Sequence, residues 1–382
     1  MATSARPQAP EPGSDPPPDP RSDPPPEPTI RDVARKAGVS TATVSRVISG
    51  SVAARPQTRA RVLAAAETLR YRPSAVARSL KLRTTRTLGL LVTDIQNPYY
   101  PEIVRAVEDA ALERNLAVLL CNGADDPGRE ETYLDLLVDR RVDGIIIASS
   151  GLQERHGAWL ARRSVPVVLV NWAAPDLRLP AILGDNRAGG RLATEHLVSL
   201  GHRRLGHLSA PARNAAAAER LGGIREGLAD AGLDPESLVV VEGDGRVAGG
   251  ERAALELLER MPGITGIVCY NDLTAIGAVR GLRARGRQVA GDVSVVGYDD
   301  IALSAWVDPP LTTIAQRTSE MGHWAVRRLG ELIGRADGAA SGNGSRAAAT
   351  GDGDGGSLGP PPVILPVELR VRASTAPPRG QA

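Results

Sequence analysis

Residues 29–50 read TIRDVARKAGVSTATVSRVISG, and this stretch decides how the N-terminal part of the chain is organised. Thr29 is placed to cap a helix, because Ile30, Val33, Ala34 and Ala37 follow it at the spacing of one helical face. Gly38 supplies a tight turn, and Ser40 suits the cap of a second helix from about Thr41 to Ile48. Val44, Val47 and Ile48 then point inward, leaving Thr41, Ala42, Ser45 and Arg46 on the outer face. A third helix, with Pro56 in its first turn and RARVLAAAETLR as its body, is expected to pack across the first two and to stop at Pro73. The pattern predicts a helix-turn-helix, whose second helix enters the major groove of DNA at its N-terminal end. Arg46 is suited to paired hydrogen bonds with guanine, and Thr41 and Ala42 to contact with a thymine methyl. Ser40, Thr43 and Ser45 suit phosphate oxygens, which position the module without reading sequence.

The charge around this stretch agrees with a polyanion partner. Residues 29–86 hold thirteen basic side chains against two acidic ones, a net +11, although the whole 382-residue chain carries only +2. A basic domain on an otherwise acidic protein is the electrostatic footprint of nucleic-acid binding.

Outward from the helical unit, residues 1–28 are dominated by Pro with Ser, Asp and Glu, a composition expected to stay disordered. No apolar run in them resembles a secretory signal, and no later segment approaches the ~20 apolar residues of a membrane span. The cytoplasm is therefore the expected compartment. Cys121 and Cys269 lie in or beside apolar strand-like runs and read as buried free thiols. Beyond Thr87, short apolar runs (TLGLLV, LAVLLC, GIIIAS, VPVVLV, AILG, RLGHLS, LVVVEG, GIVCY, VSVVGYD) alternate with helical stretches such as EIVRAVEDAALERN and AGGRLATEHLVSLG. Near-continuous apolar strands between helices predict parallel sheets covered on both faces, a doubly wound α/β design in two lobes. The expected division is a disordered tail over 1–28, the helix-turn-helix over 29–73, a hinge and linker over 74–86, and a core over 87–375. Within the core, lobe 1 takes 87–186 and 316–336, and lobe 2 takes 187–315 and 363–375. A Gly-rich flexible insertion fills 337–362, VILPVELRVR forms a last strand, and 376–382 is a tail.

Residues 74–82 have helix-forming composition but are too short to be stably helical alone. They are expected to fold on DNA beside the same segment of a partner chain, with Leu80 wedged into the minor groove and Lys81 next to it.

These motifs carry a resemblance. TIRDVARKAGVSTATVSRVISG followed by YRPSAVARSL is similar to the start of the LacI/GalR family of bacterial transcriptional regulators, and YNDLTAIGA, VSVVGYDD and PPLTTIAQ resemble its core motifs. The resemblance implies an all-α helix-turn-helix headpiece and a two-lobed core like periplasmic sugar-binding proteins. It also implies a homodimer on a pseudo-palindromic double-stranded operator, with a small-molecule effector between the lobes. By position it assigns Thr41, Ala42 and Arg46 to bases, and Leu80 and Lys81 to the minor groove; Ala77 is a further DNA-binding candidate. It places Tyr99, Tyr100, Arg220, Asn271, Asp272 and Asp299 at the effector cleft. Trp172 and Trp306, each following a strand, are further candidates.

Carboxylates, an Arg fork and aromatic faces suit a polyhydroxylated ligand, so a sugar or sugar derivative is the expected effector. The small residues of RNAAAAER and GDGRVAGG, where many members are polar or aromatic, leave no ring there to stack on a purine. The family's tetrameric members add a C-terminal leucine-repeat helix, and because this chain ends STAPPRGQA without heptads, the resemblance implies a dimer.

Other classes fit less well. Gly243, Gly245 and Ala248 give a partial dinucleotide fingerprint, but Asp272 lies 29 residues after Gly243 rather than about 20. A periplasmic solute-binding protein would leave the basic headpiece unexplained. The five histidines form no HExxH, no serine sits in GxSxG, and the two cysteines lack zinc spacing, so no catalytic residue, metal or cofactor is expected.

Overall fold

The computed structural model describes residues 28–49, 54–72, 84–149, 154–174, 177–211, 214–340 and 360–379. The chain divides into two compact units, one ending at Arg83 and one beginning at Thr84.

The first unit holds α1 (Ile30–Ala37), α2 (Thr41–Ser49) and α3 (Pro56–Thr68). The backbone N–H and the hydroxyl of Thr29 both donate to the Asp32 carboxylate, at 2.9 and 2.7 Å, which fixes the start of α1. Gly38 ends it at φ 62°, the left-handed conformation a glycine adopts without strain. The core is small and aliphatic, made of Val33, Ala34, Ala37, Val44, Val47, Val62 and Ala65. Arg61 of α3 reaches the carbonyls of Ala37 and Gly38, so the third helix clamps the turn between the first two. The end of α3 corrects the sequence expectation. The helix stops at Thr68, Arg70 adopts φ 49°, and Tyr71 N–H donates back to the Ala66 carbonyl at 2.8 Å. A left-handed terminator thus precedes Pro73, which lies outside the described residues.

The second unit contains two parallel sheets. Sheet one is built from β1 (Thr87–Val92), β2 (Ala117–Asn122), β3 (Gly144–Ala148), β4 (Val167–Val170), β5 (Ala181–Gly184) and β11 (Val363–Leu365), in the order β11-β5-β4-β3-β1-β2. Sheet two is built from β6 (Leu205–Ser209), β7 (Val239–Glu242), β8 (Gly266–Cys269), β9 (Ser294–Asp299), β10 (Thr312–Ala315) and β12 (Glu368–Arg370), in the order β12-β10-β9-β8-β6-β7. All pairings are parallel except β10 with β12. The helices are α4 (Tyr99–Leu112), α5 (Pro127–Asp139), α6 (Glu154–Arg162), α7 (Asn186–Ser199), α8 (Ala215–Asp230), α9 (Val247–Arg260), α10 (Asp272–Ala284) and α11 (Thr318–Ala340). Strands such as GIIIA and VVLV are buried throughout, as parallel strands covered on both faces require. In lobe 2 the helices meet through glycine: a Cβ on Gly190 of α7 would strike the Arg220 backbone of α8, and one on Gly223 would strike Arg187. This close approach sets Arg220 beside Asn186, at the base of the cleft.

Four expectations about boundaries are corrected. Residues 84–86, assigned to the linker, belong to the core: Thr84 Oγ1, Thr85 N and Arg86 N all donate to the Asp143 carboxylate, at 2.5, 2.7 and 2.8 Å. VILPVELRVR is not one strand of lobe 2. Pro366 lacks an N–H and splits it, so that β11 joins lobe 1 and β12 joins lobe 2. α11 runs to Ala340, into the expected insertion. The C-terminal segment is built in as far as Arg379: Ala376 O accepts from His202 Nε2 at 2.9 Å, and Arg379 pairs with Asp292 at 3.0 Å.

Cys121 and Cys269 are buried and unbonded, and burial pushes both thiols up. Among the described residues, no helix is long and apolar enough to cross a membrane.

Candidate functional site: a helix face and an interlobe cleft

On α2, Ser40 Oγ accepts from Thr43 N–H at 3.2 Å and lies 2.9 Å from Thr43 Oγ1, so the cap forms as its residue type dictates. Val44 and Val47 face the core, and Thr41, Ala42 and Arg46 are exposed. Thr43 and Ser45 are half-buried on the flank. Ala77, Leu80 and Lys81 lie outside the described residues.

In the second unit, a cleft of ≈ 330 Å³ is lined from both lobes. Lobe 1 supplies Thr93, Asp94, Gln96, Asn97, Tyr100, Asp125 and Glu130 from segments after β1 and β2. Lobe 2 supplies Asn214, Asp244, Gly245, Arg246, Tyr270 and Asn271 from segments after β6, β7 and β8. These are carboxyl ends of parallel strands, where open α/β sheets bind ligands.

Of the residues expected in the cleft, Tyr100 and Asn271 line it. Asn271 also caps α10 through Thr274 N at 2.8 Å, and its Nδ2 holds the Gly245 carbonyl at 2.9 Å. Arg220 and Asp299 lie beneath the lining. Arg220 Nε donates to Asn186 Oδ1 at 3.0 Å and Nη1 to Tyr270 O at 2.5 Å, while its guanidinium stacks 3.5 Å from the Tyr298 ring centre. Asp299 stands 3.7 Å from Arg220 and accepts from Gln316 Nε2 at 2.8 Å. Burial pushes the Asp299 carboxyl up to about 6, against the pull of Arg220 and Gln316. Tyr99 is buried and its hydroxyl lies 3.7 Å from Met321 Sδ. Asp272 accepts from Thr313 Oγ1 at 2.5 Å and from Ile301 N at 2.9 Å, tying α10 to β10 and to the segment after β9. Trp172 packs on the core of lobe 1, and Trp306 is 85% exposed, outside the cleft lining.

Most of the polar lining was not picked out from the sequence, including Asn97, Asn214, Asp244, Tyr270, Arg246 and the pair Asp94 and Asp125. Tyr270 corrects one argument made there. Its ring stands 3.5 Å from where a Cβ of Gly245 would be, so an aromatic ring does occupy the space beside GDGRV. Its hydroxyl accepts from Asn214 Nδ2 at 2.7 Å, leaving the phenol hydrogen to donate. The Tyr in YNDL was the available signal.

His156, His202 and His207 are buried. His207 is fully buried with Nδ1 2.8 Å from the Val268 carbonyl, and burial lowers it to about 4. His156 lies 3.5 Å from Glu130. Among the described residues, no group of His, Cys, Asp and Glu is arranged to hold a metal ion.

Residues 29–74 match the family model of bacterial regulatory proteins of the lacI family, and residues 85–348 match that of periplasmic binding proteins and the sugar binding domain of the LacI family. The chain belongs to the LacI family. It is a DNA-binding transcriptional regulator of that family, with a ligand-binding core. HTH-type transcriptional repressors named PurR are similar to it: that of Aliivibrio salmonicida is 37% identical over 80% of this chain and 92% of its own length. The one from Aliivibrio fischeri strain MJ11 is 38% identical, over 80% and 91%. Among solved LacI-family structures, the Lac repressor dimer bound to operator and the anti-inducer ONPF superposes with a TM-score of 0.77 at 30% identity, covering 91% of this chain and 99% of that one. The regulator CelR in complex with cellobiose gives 0.65 at 32% identity, with the same coverage.

Proposed function

We propose that this LacI-family chain is a repressor whose operator affinity is set by a carbohydrate effector held in the interlobe cleft. The observation that carries the ligand class is the lining itself. Side-chain carboxylates and amides at Asp94, Asn97, Asn214 and Asp244 surround two tyrosines, Tyr100 and Tyr270, and this combination matches hydroxyls on one face of a sugar and CH groups on the other. The similar CelR structure holds cellobiose, and another relative, from Enterococcus faecium, holds ribose. A planar nucleobase is the second reading, favoured by the Tyr270 ring beside Gly245.

Thr41, Ala42 and Arg46 read bases, while Ser40, Thr43 and Ser45 steady the helix on phosphates. Leu80 and Lys81 act in the minor groove and Ala77 also contacts DNA, and replacing Leu80 with Ala weakens operator binding without changing the stability of the free protein. Exposed Trp306 and Leu303, with Val371 on the neighbouring segment, are the surface on which two copies pair, giving a homodimer for a two-fold operator. The protein acts in the cytoplasm and catalyses no reaction.

The test is selection of bound duplexes from a random DNA pool, followed by a panel of sugars and nucleobases scored for a change in binding. An inverted repeat whose occupancy shifts with a sugar supports the proposal. A shift with nucleobases alone replaces the ligand class, and no enriched sequence rejects the repressor.

A further inference from the structure

We propose that Arg246 is a latch that ties the two lobes of the core together. It leaves lobe 2 at the start of α9 and crosses the cleft to lobe 1. There its Nη2 lies 2.7 Å from Asp94 Oδ2 and 3.1 Å from Asp125 Oδ2. The two acceptors follow β1 and β2, which pair in parallel register with Val92 beside Asn122, so one guanidinium meets both carboxylates. Both sides of the contact are held in advance. Asp94 is only 10% exposed in its side chain, and its other oxygen accepts from Gln96 N at 3.0 Å. On the opposite side, Gly245 adopts φ 76° and its carbonyl is held by Asn271 Nδ2 at 2.9 Å, which aims the next side chain across the cleft.

The Arg246 side chain takes no part in folding its own helix. It makes no capping hydrogen bond to α9, and the turn before α9 is closed by its backbone N–H on Asp244 Oδ1 at 2.9 Å. The charge pair is therefore the interaction its side chain adds, and that interaction is between lobes.

Arg246→Ala removes the cation without touching the cap, and Asp94→Asn removes the charge while keeping the oxygen that accepts from Gln96. Hydrogen exchange of the unliganded full chain reads lobe separation at backbone amides 94–97 and 244–247. Arg246→Ala is expected to exchange about fivefold faster there, a size fitting a half-exposed ion pair, and Asp94→Asn less than that, because Arg246 keeps Asp125. The double variant is expected to be no faster than Arg246→Ala, because that substitution already takes the cation from both Asp94 and Asp125. Melting temperatures unchanged from the parent chain confirm that folding is intact. Unchanged exchange in Arg246→Ala, or multiplied effects in the double variant, would overturn the latch.

Discussion

Arg46 and Arg220 show how differently the two regions of this molecule treat the same side chain. Arg46 stands exposed on the outer face of a capped helix, in a unit whose core is a few aliphatic side chains. Arg220 is 3% exposed and woven into Asn186, Tyr270, Tyr298 and Asp299. An exposed guanidinium can be removed at smaller cost to folding. A buried one cannot, because its removal strands the groups that surround it. The headpiece carries its chemistry on its surface, whereas the core builds its chemistry into the fold beneath the cleft.

The largest effect that sharpens this contrast is in the core. Arg220→Met is expected to cost about 3–5 kcal/mol in denaturant unfolding, since Asp299 is left buried without its cation. The loss should be greater at pH 8 than at pH 5. Without Arg220 the Asp299 carboxyl, already raised to about 6, rises further, and its protonation at lower pH relieves the unpaired charge. An equal loss at both pH values would break the pairing of Arg220 with Asp299.

His207 supplies the next effect. Its folded value of about 4 lies below its ordinary 6.5, so the neutral buried ring favours the folded state above pH 6.5. That contribution is lost as pH falls from 6.5 toward 4, by up to about 3 kcal/mol. The stability gap between the parent chain and His207→Gln should shrink by this amount between pH 7 and pH 4, measured by denaturant unfolding at each pH. A gap independent of pH would remove His207 from the account.

Smaller effects are expected in the headpiece. Arg46→Ala should lower operator affinity roughly tenfold to a hundredfold and relax the preference at one base pair of the half-site, with a much smaller change in stability than Arg220→Met. Gly38→Ala should cost the headpiece about 1 kcal/mol, because φ is 62° and the new Cβ would meet Arg61 Nη2. If Arg46→Ala unfolds the unit, or Gly38→Ala is neutral, the division between surface chemistry and fold fails on the headpiece side.

What could be read from the sequence follows the range over which each feature is specified. The helix-turn-helix was legible because its cap, turn glycine and inward valines lie within 20 residues and obey one period. The apolar strands and most crossover helices were legible for the same reason, and Tyr100 and Asn271 were placed in the cleft through short motifs after strands. β10 and α11 were not singled out as elements, although TTIA lay within a quoted motif. The split of the last strand was signalled by Pro366 and passed over. Asp94, Asp125 and Arg246 were missed because they are 121 and 152 residues apart and meet only through the sheet order of two lobes. Nothing local distinguishes an arginine that crosses a cleft from one that faces water. The same holds for Trp306, whose exposure depends on where the segment after β9 turns.

The claim that joins the two regions is that the cleft and the helix face control one another, and reciprocity tests it most directly. Once a sugar that shifts operator binding is in hand, its dissociation constant is measured with the free protein and with the protein saturated by operator. The account predicts that the two constants differ by the same factor, about 5- to 150-fold, by which the sugar changes operator affinity. Equal sugar affinity in the free and operator-bound protein would contradict it.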